Sequence, residues 1–137
     1  MSYFSGIEPI RYEGPATTNP LAFRYYDPQR VVLGKTMREH LRMAVCYWHS
    51  FAWTGGDPFG GDTFERPWFQ GAAPLALAET KAQAAFDFFE RLGTPYYCFH
   101  DRDVAPEGDT PRQSDTLFRH MVDRLGEHQQ RTGVKLL

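Results

Sequence analysis

The sequence predicts an α/β domain in which parallel strands alternate with helices. Three observations carry this. Apolar runs of strand length stand at residues 43–48 and 96–99, and a further run begins at Val134. A segment of helical periodicity, 75–92, separates the first two, and another, beginning near Ser114, separates the second from the third. Crossovers of helix length between consecutive strands imply parallel pairing and right-handed connections.

The chain has 137 residues, room for one domain, and 42% hydrophobic with 15% aromatic residues is ample for a packed core. A formal charge of -2 gives no basic surface for nucleic acid or anionic membrane. Cys46 and Cys98 both lie in apolar runs, which suits reduced, buried thiols and a cytoplasmic setting better than a disulfide framework. Charges are scattered through residues 1–13, and no stretch approaches the ~20 apolar residues of a membrane helix.

Residues 1–29 are rich in Pro, Gly, Asn, Thr and aromatics without periodicity, an extended arm that lies across other structure. The domain division places the arm at 1–35 and the βα units at 36–137. Thr36-Met37-Arg38-Glu39 has capping-box spacing and predicts a short helix. It leads into 43–48, an unbroken apolar run that predicts a strand buried on both faces. His49, next to Trp48, then points to the opposite side of an extended segment.

From Trp48 to Gly71 the chain interleaves Trp48, Phe51, Trp53, Phe59, Phe64, Trp68 and Phe69 with Gly55-Gly56, Gly60-Gly61, Pro58 and Pro67. So long a loop fits a binding or interface role, and equally a packed Ω-loop that tucks in its own aromatics. Phe59, between Pro58 and Gly60, is placed to project outward.

Pro74 suits the first turn of the next helix and Gly93 its C-terminal cap. Leu75, Ala78, Ala82, Phe86 and Phe89 form its apolar face, with Glu79, Lys81, Gln83 and Asp87 elsewhere, so this helix reads as structural. In the last helix, capped by Ser114 or Asp115, the stripe is Leu117, Met121, Val122 and Leu125, with Gly133 closing it.

Chemistry concentrates where the second strand ends, at His100-Asp101-Arg102-Asp103. An Asp that accepts the Nδ1 proton of an imidazole fixes its tautomer and leaves Nε2 free to exchange protons near neutral pH. The same residues also fit a surface histidine in a solvated charged loop. A third parallel strand at 134–137 would leave an apolar edge uncovered, and a closed α/β barrel of such units takes ~250 residues, so the chain reads as the first part of a larger (β/α) domain.

Arg11-Tyr12-Glu13-Gly14, Asn19-Pro20-Leu21-Ala22-Phe23, Val32-Leu33-Gly34-Lys35, the run from Glu39-His40-Leu41-Arg42 through Cys46-Tyr47-Trp48-His49, Arg66-Pro67-Trp68, Tyr97-Cys98-Phe99-His100-Asp101 and Asp103-Val104 stand in order along the chain. Together they resemble the N-terminal portion of xylose isomerase, the longer-chain class with an N-terminal arm. The resemblance implies the first two to three units of a (β/α)8 TIM barrel. It also implies a homotetramer interconverting D-xylose and D-xylulose with two divalent metal ions, Mg²⁺, Mn²⁺ or Co²⁺. By the same resemblance His100 assists opening of the sugar ring with Asp103 hydrogen-bonded to it. Trp48 and Phe59 wall the sugar site, Phe59 reaching across from a neighbouring subunit.

The family's metal ligands come from later strands, beyond this sequence. Asp101 and Asp103 are too few and too local to hold a pair of hard cations, so no metal is expected on this chain alone. The chain by itself is expected to be inactive. The alternative is a non-catalytic piece that binds sugar or oligomerises through its uncovered edge.

Overall fold

The computed structural model describes residues 3–63, 65–70 and 73–137. Phe64 and Gly71 of the aromatic loop, and Met1 of the arm, lie outside the described residues. The predicted alternation of parallel strands and helices is present: β3 (Ala44–Cys46), β4 (Tyr96–Cys98) and β5 (Lys135–Leu136) form a parallel sheet in that order, joined by α2 (Pro74–Leu92) and α4 (Pro111–Thr132).

Before the sheet, the arm adopts structure that its composition did not predict. β1 (Val31–Val32) and β2 (Lys35–Thr36) pair as an antiparallel hairpin. Its turn is Leu33 at φ 48 and Gly34 at φ 80, the left-handed pair that a two-residue hairpin requires. The arm does lie across α2: Ile10 N donates to Arg91 O at 2.7 Å, and Phe4 packs on Phe88 with centroids 5.5 Å apart. The capping box at Thr36 and Glu39 forms around α1 (Met37–His40), with the Glu39 carboxylate 2.7 Å from Thr36 N.

The run at 43–48 departs from the expectation. Only 44–46 are extended, and they are half-buried, because helices cover one face of the sheet. Trp48–Ala52 is a π-helical turn, so strand alternation does not govern His49, whose Nδ1 lies 3.2 Å from Sγ of Cys46 at the end of β3. Cys46 and Cys98 are free and directly paired in register, and half-buried where the sequence suggested fully buried. Burial pushes the Cys98 thiol up, with Cys46 adding to the effect.

Helix α2 begins at Pro74 and ends on Gly93, whose φ of 71 supplies the left-handed cap that L residues resist. Its apolar face buries Ala78, Ala82, Phe86 and Phe89 as expected, and also Lys81, which is 8% exposed against the expectation of a polar-face residue. The N-cap of α4 lies four residues before Ser114. Thr110 Oγ1 accepts from Gln113 N at 3.2 Å, while Ser114 Oγ accepts from Gly108 N at 3.0 Å and Asp115 pairs with Arg119 at 2.8 Å. Pro111 at its first turn is the signal that decides this start. Met121 and Leu125 are buried as expected, but Val122 is 46% exposed and Phe118 packs on the core in its place.

The core lies between the sheet and the two helices. Phe86 sits within 5.3 Å of Phe89 and 5.2 Å of Tyr97 and stacks on His128 at 4.8 Å. Tyr97 therefore faces the helices, and its hydroxyl accepts from Gln129 Nε2 at 3.1 Å. By strand alternation Tyr96 and Cys98 face the other side of the sheet.

Candidate functional site

The parallel register pairs Cys46 with Cys98, and two residues beyond each stand Trp48 and His100. Both candidates therefore leave adjacent strands at the same carboxyl edge, the edge at which α/β proteins build their sites.

His100 is the N-cap of α3 (Asp101–Val104), a four-residue helix that replaces the loop expected there. The third residue of that helix is Asp103, whose Oδ2 reaches back to accept from His100 N at 2.7 Å and lies 3.0 Å from His100 Nδ1. The spacing His-x-x-Asp thus works as a helix start: the carboxylate that caps the turn is the one that holds the imidazole. The two side chains differ sharply in environment, 77% exposed for His100 and 5% for Asp103. With Asp103 ionised, Nδ1–H donates to it and Nε2 is left as the solvent-facing nitrogen able to take or give a proton. Asp101 turns away, its Oδ1 accepting from Arg102 N at 2.8 Å.

Trp48 is 39% exposed and stacks on Trp53, centroids 5.8 Å apart and planes 27° from parallel. Sequence reasoning did not single out Trp53 as its partner; the π-turn brings the two rings together. Trp53 Nε1 donates to Gly56 O at 2.7 Å, and Arg66 Nε and Nη2 donate to the carbonyls of Trp53 and His49. The aromatic loop tucks in some of its rings and exposes another. Phe51 and Trp68 are buried, with Trp68 Nε1 donating to Phe51 O at 2.8 Å, whereas Phe59 is 97% exposed.

Phe59 rides on a tight turn in which Asp57 Oδ1 accepts from Phe59 N at 2.8 Å and from Gly60 N at 2.9 Å. That side-chain mimic of a backbone turn aims the ring outward. No ring contact joins Phe59 to Trp48 or His100 within this chain among the described residues.

Beneath the pair lies Lys81, which the sequence reading missed. Its signal was available, since positions 78, 81, 82 and 85 share one helical face. The ammonium lies over the rings of Tyr47 (5.7 Å) and Phe69 (5.6 Å), and burial lowers its pKa to about 8, with Asp103 opposing the shift. The Tyr47 hydroxyl is enclosed and lacks a partner among the described residues, and burial raises its pKa.

A lysine depressed by burial penalises folding while it is charged. The penalty is absent above the unfolded value near 10.5, grows as pH falls toward about 8, and is fully present below that. Lys81→Met is therefore expected to stabilise the fold at pH 7 by about 1–3 kcal/mol, and the gain should fade between pH 8 and 10.5. Urea titrations of both proteins at pH 7 and 10 check this; a variant less stable than the parent at pH 7 refutes it.

Among the described residues no group of three or more His, Cys, Asp or Glu side chains converges to hold a metal ion. Asp103 is committed to His100, so the residues present do not fit the dication pair that the resemblance implies. No helix among the described residues is long and apolar enough to cross a membrane.

No family model matches the chain. Comparison with individual proteins gives a different result. The xylose isomerase of Pseudomonas fluorescens is 58% identical over 137 residues, and that of Burkholderia vietnamiensis 61% identical, each match covering all of this chain and 31% of the relative. The xylose isomerase of Pseudomonas syringae pv. syringae is 57% identical over the same span. The chain is homologous to xylose isomerases along its whole length. It spans about a third of the length of these curated relatives.

Proposed function

We propose that the chain is the N-terminal segment of a xylose isomerase and supplies the residues that open the sugar ring. The observation that supports this is the His100–Asp103 pair: an imidazole anchored through Nδ1 at a strand's carboxyl end, with Nε2 exposed. Opening a cyclic aldose breaks the C1–O5 bond, removes the proton on the C1 hydroxyl oxygen and delivers a proton to O5. An imidazole near neutrality can carry out either transfer through one nitrogen, and Asp103 stabilises the imidazolium formed on the way. Trp48 offers an apolar face against which the C–H groups of D-xylose can stack.

The remainder of the reading concerns the whole protein. The complete domain is a (β/α)8 TIM barrel preceded by an arm at 1–35, of which residues 36–137 provide the first units. The two divalent ions, Mg²⁺, Mn²⁺ or Co²⁺, would be held by residues outside this chain, where they would supply Lewis-acid chemistry. The assembly is a cytoplasmic homotetramer, and Phe59 walls the sugar pocket of a neighbouring subunit. Its 97% exposure on a turn built to project it supports that last assignment.

Purified 137-residue chain given D-xylose and Mg²⁺, Mn²⁺ or Co²⁺ is expected to form no ketose above background. The same chain joined to the remaining two thirds of the Pseudomonas fluorescens relative is expected to isomerise xylose. Ketose formation that tracks the isolated chain, or an inactive but folded chimera, contradicts the proposal. In that chimera, exchanging subunits bearing Phe59→Ser with subunits bearing His100→Asn creates some sites in which both residues are intact. Activity per subunit should rise above the parental mean; a value that stays at the mean after proven exchange places Phe59 within its own chain's site or outside any site.

A second reading, an oligomerising piece without catalysis, is favoured by the exposed Leu136 on the sheet's last strand and Leu137 just after it. Size measured over a range of concentrations, with sugar binding assayed in parallel, separates it from the first.

A further inference from the structure

Cys46 and Cys98 are the only cysteines of the chain, and they stand opposite each other in the parallel register of β3 and β4. Neighbouring strands lie about 4.7–4.9 Å apart, inside the range of roughly 4.4–6.8 Å over which two Cα atoms accept a disulfide. Opposed residues of parallel strands point to the same face, so the two Cβ vectors run side by side. Tyr97 faces the helices, which puts both thiols on the other face of the sheet, where they are free and half-buried.

The two thiols have different partners. Cys46 Sγ lies 3.2 Å from Nδ1 of His49, an exposed imidazole that the π-turn brings back over the end of β3. Cys98 Sγ donates to Val45 O at 3.8 Å, and burial pushes the Cys98 thiol up, with Cys46 adding to the effect. A thiol beside a base is the one equipped to act as a nucleophile; a thiol that keeps its proton is suited to the second step of a pair. None of these three side chains takes part in the ring opening assigned to His100 and Asp103.

We propose that Cys46, His49 and Cys98 form a peroxide-reactive thiol site, in which Cys46 is oxidised first and Cys98 then closes a disulfide between β3 and β4. Cys46 Sγ attacks one oxygen of hydrogen peroxide: an S–O bond forms, the O–O bond breaks, and the thiol proton passes through His49 Nδ1 to the departing hydroxide, which leaves as water. The sulfur is now a sulfenic acid, oxidised by two electrons, and the peroxide is reduced. Cys98 Sγ attacks that sulfur, the S–S bond forms, the S–O bond breaks, and hydroxide leaves as a second water with the Cys98 proton. Two thiols and one peroxide thus give one disulfide and two waters. The bond ties the strands together two residues short of Trp48 and His100.

The reduced 137-residue chain, treated with one equivalent of hydrogen peroxide, alkylated and mapped by mass spectrometry, tests this directly. The expected result is a monomer that has lost both free thiols to a Cys46–Cys98 bond and regains them with dithiothreitol. Cys98→Ser should stop at a Cys46 sulfenic acid that dimedone traps, while Cys46→Ser should leave Cys98 oxidised roughly 10-fold more slowly. His49→Ala should slow disulfide formation by roughly 10-fold as well, through loss of the base. Disulfides formed only between chains, or oxidation to sulfinic acid with no bond within the chain, overturn the proposal, and this arm needs no substitution. Equal oxidation rates in Cys46→Ser and Cys98→Ser overturn the assigned order, and a parental rate in His49→Ala overturns the role of His49.

Discussion

In a full-length protein carrying this segment, His100→Asn should slow turnover of ring-closed xylose by roughly 10²–10⁴-fold, the usual contribution of a positioned acid–base group. Substrate presented already open should lose far less. The difference follows from where His100 sits: its one anchored nitrogen is 3.0 Å from Asp103, and its other nitrogen faces solvent at the carboxyl edge of the sheet. Asn at this position keeps the helix N-cap, because Asn caps well and the backbone N–H of residue 100 still meets the Asp103 carboxylate. A loss confined to the ring-closed form therefore reports chemistry. Steady-state rates on both forms of the substrate decide the matter. Equal losses on both would assign His100 to binding or to the stability of α3.

The second large effect is on stability. Phe86→Ala should cost about 3–5 kcal/mol, because a fully buried ring is removed from a cluster that cannot collapse around the gap. Phe89, Tyr97 and His128 all touch that ring, and they belong to three different elements, α2, β4 and α4. Their positions are fixed by backbone hydrogen bonding, so the void remains. A loss of that size is comparable with the whole stability of many domains. Denaturant unfolding of the parent and variant checks it; a loss below about 1 kcal/mol would show that the helices reseat on the sheet.

The parallel α/β pattern was legible because strand-length apolar runs and a helix with Pro74 and Gly93 at its ends are local properties of the chain. The capping box at Thr36 and the outward turn of Phe59 were legible for the same reason, each depending on residues three positions apart or fewer. His100 and Asp103 could be paired from sequence because a three-residue spacing closes on itself at a helix start.

What the sequence did not reveal depends on contacts between distant segments. The end of the β3 run at Cys46 and the π-turn that carries Trp48 onto Trp53 are set by packing of Phe51 under Trp68, seventeen residues away. The hairpin at 31–36 turns on Leu33 adopting a left-handed conformation that its side chain does not advertise. The start of α4 was misplaced because Ser114 looked like a cap, whereas its hydroxyl is used by Gly108 and Thr110 performs the capping.

Lys81 shows the limit most clearly. Composition and local charge mark a lysine as a surface residue, since burying an ammonium costs free energy. Its place in the chain sets its helical angle on the apolar side of α2, but only the packing of Tyr47 and Phe69 over that face encloses its ammonium. Periodicity determines which way a side chain points from its own helix; what waits there is decided by elements that arrive from elsewhere in the chain.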